Sequence, residues 1–133
     1  MESTILLKGI DRDFLCALLS SNLYFWFYHI YSNCKDLNRM ELLLFPIPFD
    51  KLNKNIIIDI KSVYSDYLQD LKKHSKIKKV NYSIIKSYRE FYPRYSKHLI
   101  DQIDYLIKEL YCLTDEELQF IINYDIRFRT DDI

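Results

Sequence analysis

The chain has 133 residues, of which 49% are hydrophobic and 16% aromatic, so it can form a single domain with its own core. It contains one glycine and three prolines, and the turn residues that dense β-sheets need are therefore scarce. The 19 Lys and Arg residues balance 19 Asp and Glu residues, which excludes a globally basic surface. We expect a mainly α, compact helical domain of four to five helices over residues 1–133, with at most a small β element.

The first part of the chain predicts an extended segment followed by a long apolar helix. Residues 3–9, STILLKG, are typical of a short strand that ends at the only glycine, Gly9. Asp11 can cap a helix over residues 12–31 by accepting hydrogen bonds from the free amides of its first turn. We interpret this helix as a buried core helix and not as a membrane span, because Ser20, Ser21 and Asn22 interrupt its apolar run.

A connector and an amphipathic helix are predicted next. Residues 33–49 are expected to form a connector through which no helix continues, since Pro46 and Pro48 favour extended geometry in the residues before them. From about Lys54 to Lys73, apolar side chains recur at intervals of three and four, which predicts a helix with one apolar face. The residues predicted on that face are Ile56, Ile57, Ile60, Val63, Tyr64, Tyr67, Leu68 and Leu71.

Positive charge is concentrated in the segment that follows this helix. Residues 72–97 hold nine Lys or Arg and one Glu, a net charge of +8, and several aromatic residues lie between the cations. We expect a loop with a short strand around residues 82–85. Such a pattern suits the neutralisation of DNA phosphates, and the alternative is a solvated loop without a ligand.

Two helices are predicted in the last third of the chain. After Pro93, Ser96 can cap a helix whose polar face would carry Asp104 and Lys108 as an i,i+4 ion pair. Thr114 and Glu117 have the spacing of a capping box, which predicts a second, short helix. The expected inward residues of the two helices are Leu99, Ile100, Ile103, Leu106, Ile107, Leu110, Leu118, Ile121 and Ile122.

The sequence offers little support for an enzyme active site. One glycine cannot supply a glycine-rich loop for a nucleotide or for S-adenosylmethionine. The three cysteines, Cys16, Cys34 and Cys112, form no C-x-x-C pair, and this favours free thiols in a reduced, cytoplasmic protein. The three histidines have no metal-ligand spacing, so we predict neither catalytic nor metal-binding residues.

The stretch YREFYPRYSKHLIDQIDYLIKELYCLTDEELQFIINYDIRFR, which begins at Tyr88, resembles the C-terminal segment of type II restriction–modification proteins of the adenine-specific DNA methyltransferase family. That segment has an aromatic–proline entry, an I-D-x-I-D helix, a turn with tyrosine, glycine and threonine, and an E-E-L-x-F-I-I-N-Y-D helix. FLCALLSSNLYFWFY and LLLFPIPF are similar, more loosely, to parts of the TaqI-like C-terminal specificity region. Cys112 replaces the usual glycine of the turn, which predicts a re-routed or mildly strained helix end.

The resemblance implies that this chain is the C-terminal, target-recognition part of a larger N6-adenine DNA methyltransferase and not an enzyme alone. The family's Asn-Pro-Pro-Tyr/Phe motif is absent, because the only prolines are Pro46, Pro48 and Pro93. S-adenosylmethionine is expected only in the absent catalytic domain, and the parent protein would also act as an endonuclease in some members.

On this interpretation the partners are double-stranded DNA and the methyltransferase domain, without a membrane. The predicted DNA contacts are Lys76, Lys78, Lys79, Lys86, Arg89, Arg94, Lys97 and, in the connector, Arg39. The alternative is a structural helical module that braces the methyltransferase or endonuclease domain through protein–protein contacts. The apolar helix over residues 12–31 is the feature that favours this alternative, because such a surface needs a partner.

Overall fold

The computed structural model describes residues 11–32, 39–81, 84 and 86–130, without the side chains of Arg39, Met40, Leu43, Phe128 and Thr130. The strand predicted over residues 3–9 therefore lies outside the described residues. So do Tyr82, Ser83 and Ile85 of the second predicted strand, of which only the bend residue Ile84 is described.

Helices dominate the chain. Helix α1 (Arg12–Ser20) and helix α2 (Asn22–Tyr31) are followed by the short helix α3 (Arg39–Leu44), a 3-10 turn (Phe49–Lys51) and the long helix α4 (Lys54–Lys73). Strands β1 (Lys76–Lys79) and β2 (Ser87–Glu90) form an antiparallel hairpin. A 3-10 turn (Pro93–Ser96) then leads into helices α5 (Lys97–Ile107), α6 (Asp115–Asn123) and α7 (Ile126–Thr130). The expected mainly α fold with a small β element is confirmed.

Helices α1, α4 and α5 enclose the centre of the core. Phe14, Leu18, Ile60, Ile103 and Ile107 are at most 1% exposed there. The predicted helix over residues 54–73 is confirmed, with Asn53 as its cap, but Leu68 on its predicted apolar face is exposed. Within the described ranges, no helix combines the length and the apolar character needed to cross a membrane.

The single helix predicted over residues 12–31 is wrong, because the chain breaks it at Ser21. Asp11 does cap its start, since one carboxylate oxygen accepts from the amides of Asp13 and Phe14. Ser21, however, is extended, with φ −71° and ψ 158°, and its hydroxyl accepts from the amide of Tyr24 to begin a new helix. Serine favours such a cap over the middle of a helix, and the break frees two further amides for an acceptor elsewhere.

That acceptor is Asp104 of α5, which was predicted on an exposed face beside Lys108. This prediction is wrong, because Asp104 is 0% exposed. Its carboxylate accepts from the amides of Asn22 at 2.8 Å and Leu23 at 3.0 Å, and from the side-chain amide of Asn22 at 2.9 Å. Lys108 is bonded to Asp115 instead. A carboxylate at a helix N-terminus is favourable, which explains why a charged residue occupies this core position.

The connector between α2 and α4 contains the short helix α3, which the sequence patterns did not predict. No helix continues through the described part of the connector, as expected, because α3 ends at Leu44 and the chain is irregular from Pro46 to Pro48. Phe45, at the end of α3, is 6% exposed and lies edge-on to Tyr24, with ring centroids 4.9 Å apart. This burial explains why the apolar run before the prolines turns inward.

The start of α5 is fixed by side chains and not by the predicted serine cap. Ser96 precedes the helix, but its hydroxyl makes no capping bond; it donates to Asp70 at 2.7 Å. This bond, followed by the charges of His74, His98 and Lys73, lowers the pKa of Asp70. The bond between Ser96 and Asp70 joins the beginning of α5 to the end of α4. The hairpin lies between these two helices in the chain, so this bond holds the two ends of the hairpin segment together.

The turn between α5 and α6 contains the position where the sequence resemblance led us to expect strain. Cys112 has φ 54°, the left-handed region that favours glycine. The amide of Cys112 donates to the carbonyl of Glu109, and the amide of Leu113 donates to the carbonyl of Lys108. These are the two hydrogen bonds of a Schellman motif. The predicted capping box of Thr114 and Glu117 is present directly after it, and Leu118, Ile121 and Ile122 are buried as expected.

Replacing Cys112 with glycine should stabilise the chain. A side chain in the left-handed region costs roughly 1–2 kcal/mol, and the greater freedom of unfolded glycine offsets part of this. We expect Cys112→Gly to raise the free energy of unfolding by about 0.5–1 kcal/mol in urea denaturation. Asn123→Gly, at the last residue of α6, should instead lower it by about 0.5 kcal/mol, because it removes the bond to the carbonyl of Gln119 and adds backbone freedom. Equal destabilisation by both variants would contradict this account of Cys112.

Replacing Asp104 with asparagine should destabilise the fold. Asparagine offers one acceptor oxygen to donors that now use two, and a lost buried bond costs about 1–3 kcal/mol. The exposed Asp66→Asn serves as the control and should change stability by less than about 0.5 kcal/mol.

The loss of stability in Asp104→Asn should also depend on pH. Burial raises the pKa of Asp104 from its ordinary 3.8 to about 6, although its N–H donors act in the opposite direction. Between about pH 4 and pH 6 the folded state therefore holds a proton that the unfolded state has lost, so the contribution of Asp104 decreases as the pH rises. Unfolding measured across this range should show the difference between wild type and Asp104→Asn narrowing with increasing pH. A difference that widens would contradict it.

Candidate nucleic-acid interface

The basic segment forms a β-hairpin. The ladder continues beyond the two strands through the amide of Val80, which donates to the carbonyl of Lys86 at 3.1 Å. Strand pairing places Lys76 opposite Glu90, Ile77 opposite Arg89, Lys78 opposite Tyr88 and Lys79 opposite Ser87. The predicted loop is thus largely a paired ribbon, because alternating lysine, isoleucine and tyrosine residues are compatible with an exposed pleated ribbon.

Both faces of this hairpin are open to solvent. All four side chains of β1 are exposed, and in β2 only Glu90 is half-buried. Since side chains alternate along a strand, Lys76 and Lys78 lie on one face, and Lys79 lies with Arg89 on the other. The ribbon therefore presents cations on both sides.

Few of these cations are neutralised inside the protein. Lys78 lies 3.8 Å from the carboxylate of Glu90, but both side chains are more than two-fifths exposed, so this ion pair contributes little. Arg89 donates to the hydroxyl of Ser75 at 2.7 Å, a bond that leaves its charge unpaired by any acid among the described residues. The hairpin consequently remains available to an external anion.

Aromatic rings and cations are interleaved at the base of the hairpin. The guanidinium of Arg94 lies 5.2 Å from the ring centroid of Tyr92 and 4.8 Å from that of Tyr95, and the ammonium of Lys76 lies 5.7 Å from Tyr92. Tyr95 in turn lies 5.6 Å from the ring of His74 at the end of α4. Cation–π contacts of this kind help to hold the charged side chains in place.

The structure brings most, but not all, of the predicted DNA contacts together. Arg94 lies at the base of the hairpin. Arg39 begins α3, in another part of the chain, and its side chain is outside the description. The predicted contacts on the hairpin itself are Lys76, Lys78, Lys79, Lys86 and Arg89.

Lys97 does not fit the prediction of a phosphate contact. It is 6% exposed, and its ammonium donates to Asp101 at 2.7 Å and to the carbonyl of Ile122 at 2.9 Å. Asp101 also accepts from the side chain of Asn22 at 2.7 Å. Lys97 thus links α5, α6 and the start of α2 inside the protein, because a buried ammonium needs such acceptors.

A cavity of about 810 Å³ lies beside the hairpin base. The junction of α1 and α2 contributes Tyr24, Phe25 and Tyr28 to its wall, and the segment that leaves β2 contributes Phe91 and Tyr92. Its ionisable lining residues other than tyrosine are Glu90, Arg94 and Arg129. The cavity is therefore rich in rings and carries a net positive charge.

Arg129, in the last described turns of the chain, borders this cavity. Its guanidinium lies 4.1 Å from the ring centroid of Phe25. Its buried Nη1 atom has no hydrogen-bond partner among the described residues. Burial lowers the pKa of Arg129, and the charges of Asp104, Asp101 and Asp125 oppose this shift. The sequence patterns did not predict this cavity, because its lining comes from separate segments of the chain.

The described residues contain no group of three or more His, Cys, Asp or Glu side chains that could hold a metal ion. Cys16 and Cys112 are free thiols, and Cys34 lies outside the described residues. What this part of the chain offers is thus an exposed cationic ribbon and an aromatic cavity, two features suited to binding.

Comparison of the chain with protein-family models, with curated proteins and with solved structures found no match.

Proposed function

We propose that this chain is the DNA-binding, target-recognition portion of a type II restriction–modification N6-adenine DNA methyltransferase, and that it is not catalytic by itself. The observation that carries the proposal is the exposed hairpin, which groups five cations on a two-stranded ribbon. The sequence resemblance in the C-terminal third supplies the enzyme family.

The geometry of the ribbon supports contact with duplex DNA. The major groove of B-DNA admits a two-stranded β-ribbon, and alternate residues of a strand lie about 7 Å apart. When such a ribbon lies in the groove, some of its lysines can therefore reach the phosphates on either side. Its other side chains can enter the groove itself. Phosphate contacts of this kind fix position and register, whereas base contacts define sequence.

In this proposal the chemistry belongs to a methyltransferase domain outside the chain. That domain would bind S-adenosylmethionine and the flipped adenine, and this chain would hold the surrounding duplex. The proposed phosphate contacts are Lys76, Lys78, Lys79, Lys86 and Arg89 on the hairpin, with Arg94 at its base. Lys97 is excluded because its ammonium is engaged inside the protein.

The salt dependence of DNA binding tests the hairpin directly. Each phosphate contact adds about 0.9 to the slope of log K against log salt concentration. We expect the triple variant Lys78→Gln, Lys79→Gln, Arg89→Gln to lower this slope by about 2–3 relative to wild type in fluorescence anisotropy with a duplex. The matched control is Arg12→Gln, Lys54→Gln, Arg127→Gln, which removes the same charge from other exposed positions.

Equal slopes for the two triple variants would show that the salt dependence reflects only the net charge of the chain. That result would reject the hairpin as the contact surface. Absence of binding at low salt by the folded chain would reject the DNA-binding proposal for this chain.

A second candidate function is that the chain braces the methyltransferase or endonuclease domain. It is favoured by large apolar side chains exposed at the end of α2 and in α3, where Ile30 is 51%, Tyr31 63% and Leu44 56% exposed. Tyr31 and Leu44 border the same small pocket, and exposed apolar surface of this kind marks many protein interfaces.

This alternative predicts binding of the chain to a purified N6-adenine DNA methyltransferase domain, measured by sedimentation velocity. Tyr31→Lys with Leu44→Lys should weaken that complex more than about tenfold, since two buried contacts would be replaced by charges. Leu68→Lys, at a residue 45% exposed on α4, is the control and should leave it intact. A complex that is indifferent to all three substitutions would exclude this surface.

A further inference from the structure

We propose that the cavity beside the hairpin base binds one unstacked nucleotide, with the base between aromatic side chains and the phosphate at Arg129. The ligand is a nucleoside monophosphate unit, either free or as an extrahelical residue of a DNA strand. The second of these sources rests on the proposed function, whereas the binding chemistry of the cavity stands without it.

The size and lining of the cavity fit a nucleotide. Its volume of about 810 Å³ lies inside the range of about 300–1,000 Å³ that is usual for sites of small organic ligands. Phe91 is 48% exposed, and Phe25 and Tyr28 in the same lining are half-buried. Accessible flat rings suit a planar ligand, because nucleobases of any sequence stack on aromatic side chains.

One buried donor nitrogen of Arg129, at the border of the cavity, lacks an acceptor in the described part of the chain. A partly buried guanidinium normally finds a carboxylate or another acceptor, because an unpaired buried donor is costly. The guanidinium of Arg129 lies 4.1 Å from the ring centroid of Phe25, and its buried Nη1 has no hydrogen-bond partner among the described residues, although the charges of Asp101, Asp104 and Asp125 act on it. An anionic group in the cavity would supply the missing acceptor, and a planar guanidinium binds phosphate oxygens in pairs.

The cavity adjoins the cationic ribbon. Glu90 ends β2 and Phe91 and Tyr92 follow it directly, so the wall of the cavity is a continuation of the cationic ribbon. A strand of nucleic acid bound along the ribbon would pass the opening. Glu90 is the acceptor that an exocyclic amino group of adenine, cytosine or guanine requires.

Free nucleotide tests the cavity apart from duplex binding. We expect deoxyadenosine 5′-monophosphate to bind the full chain in isothermal titration, with deoxyadenosine and inorganic phosphate each at least about tenfold weaker. Arg129→Gln and Phe91→Ala should each weaken the nucleotide about tenfold. The exposed Phe49→Ala, outside the cavity, is the control, and circular dichroism verifies that each variant is folded.

Phe91→Ala keeps the test decisive if Arg129→Gln does not fold, because Phe91 is half exposed. Equal affinity of wild type and Phe91→Ala for the nucleotide, or binding of phosphate as tight as that of the nucleotide, would overturn the inference.

Duplex DNA distinguishes the two sources. A duplex with one unpaired adenine should bind more tightly than the paired duplex, and Phe91→Ala should remove this preference. A preference for the unpaired base assigns the site to DNA, and nucleotide binding without it assigns the site to a free ligand. Salt-dependent binding of paired duplex with no nucleotide binding would reject the cavity and leave the proposed function standing. Nucleotide binding with no duplex binding would reject the proposed function and leave the nucleotide site in the cavity standing.

Discussion

A single buried carboxylate organises this fold. Asp104 holds the first amides of α2 and the side chain of Asn22, so the break at Ser21, the direction of α2 and the packing of α5 are consequences of the same interaction. Lys97 and Asp101 extend it into a polar network that also reaches the carbonyl of Ile122 in α6. Polar groups of this kind define one arrangement of helices where apolar contacts alone would permit several.

The position of the candidate site depends on that network. The junction of α1 and α2 forms one wall of the aromatic cavity, and the segment leading from the hairpin into α5 forms the other. Ser96 ties this segment to Asp70 at the end of α4. The hairpin thus projects from a base that is fixed on both sides, although its own faces bury little, and an isolated two-stranded hairpin is only marginally stable in water.

Local patterns in the sequence predicted local structure well. The period of three and four defined the bounds of α4, and the spacing of Thr114 and Glu117 defined the start of α6. The errors occurred where a distant residue decided the outcome. The sequence around Ser21 does not indicate that Asp104 accepts from the amides of Asn22 and Leu23, since these residues lie 82 and 81 positions before it. Lys97 and Arg94 likewise cannot be distinguished within the basic segment of the sequence. Only tertiary packing determines that Lys97 is buried. The cavity, which needs three separate segments, could not be read from any one of them.

The lysines of β1 have a second consequence, for the behaviour of the isolated chain. A two-stranded ribbon has two open edges, whose free amides and carbonyls are a template for pairing with another strand. Ile77 and Tyr88 are largely exposed on this ribbon, and such apolar side chains favour that pairing. Repulsion between lysines of neighbouring copies opposes it. The charges that make the ribbon attractive to phosphate would therefore also keep copies of the chain apart.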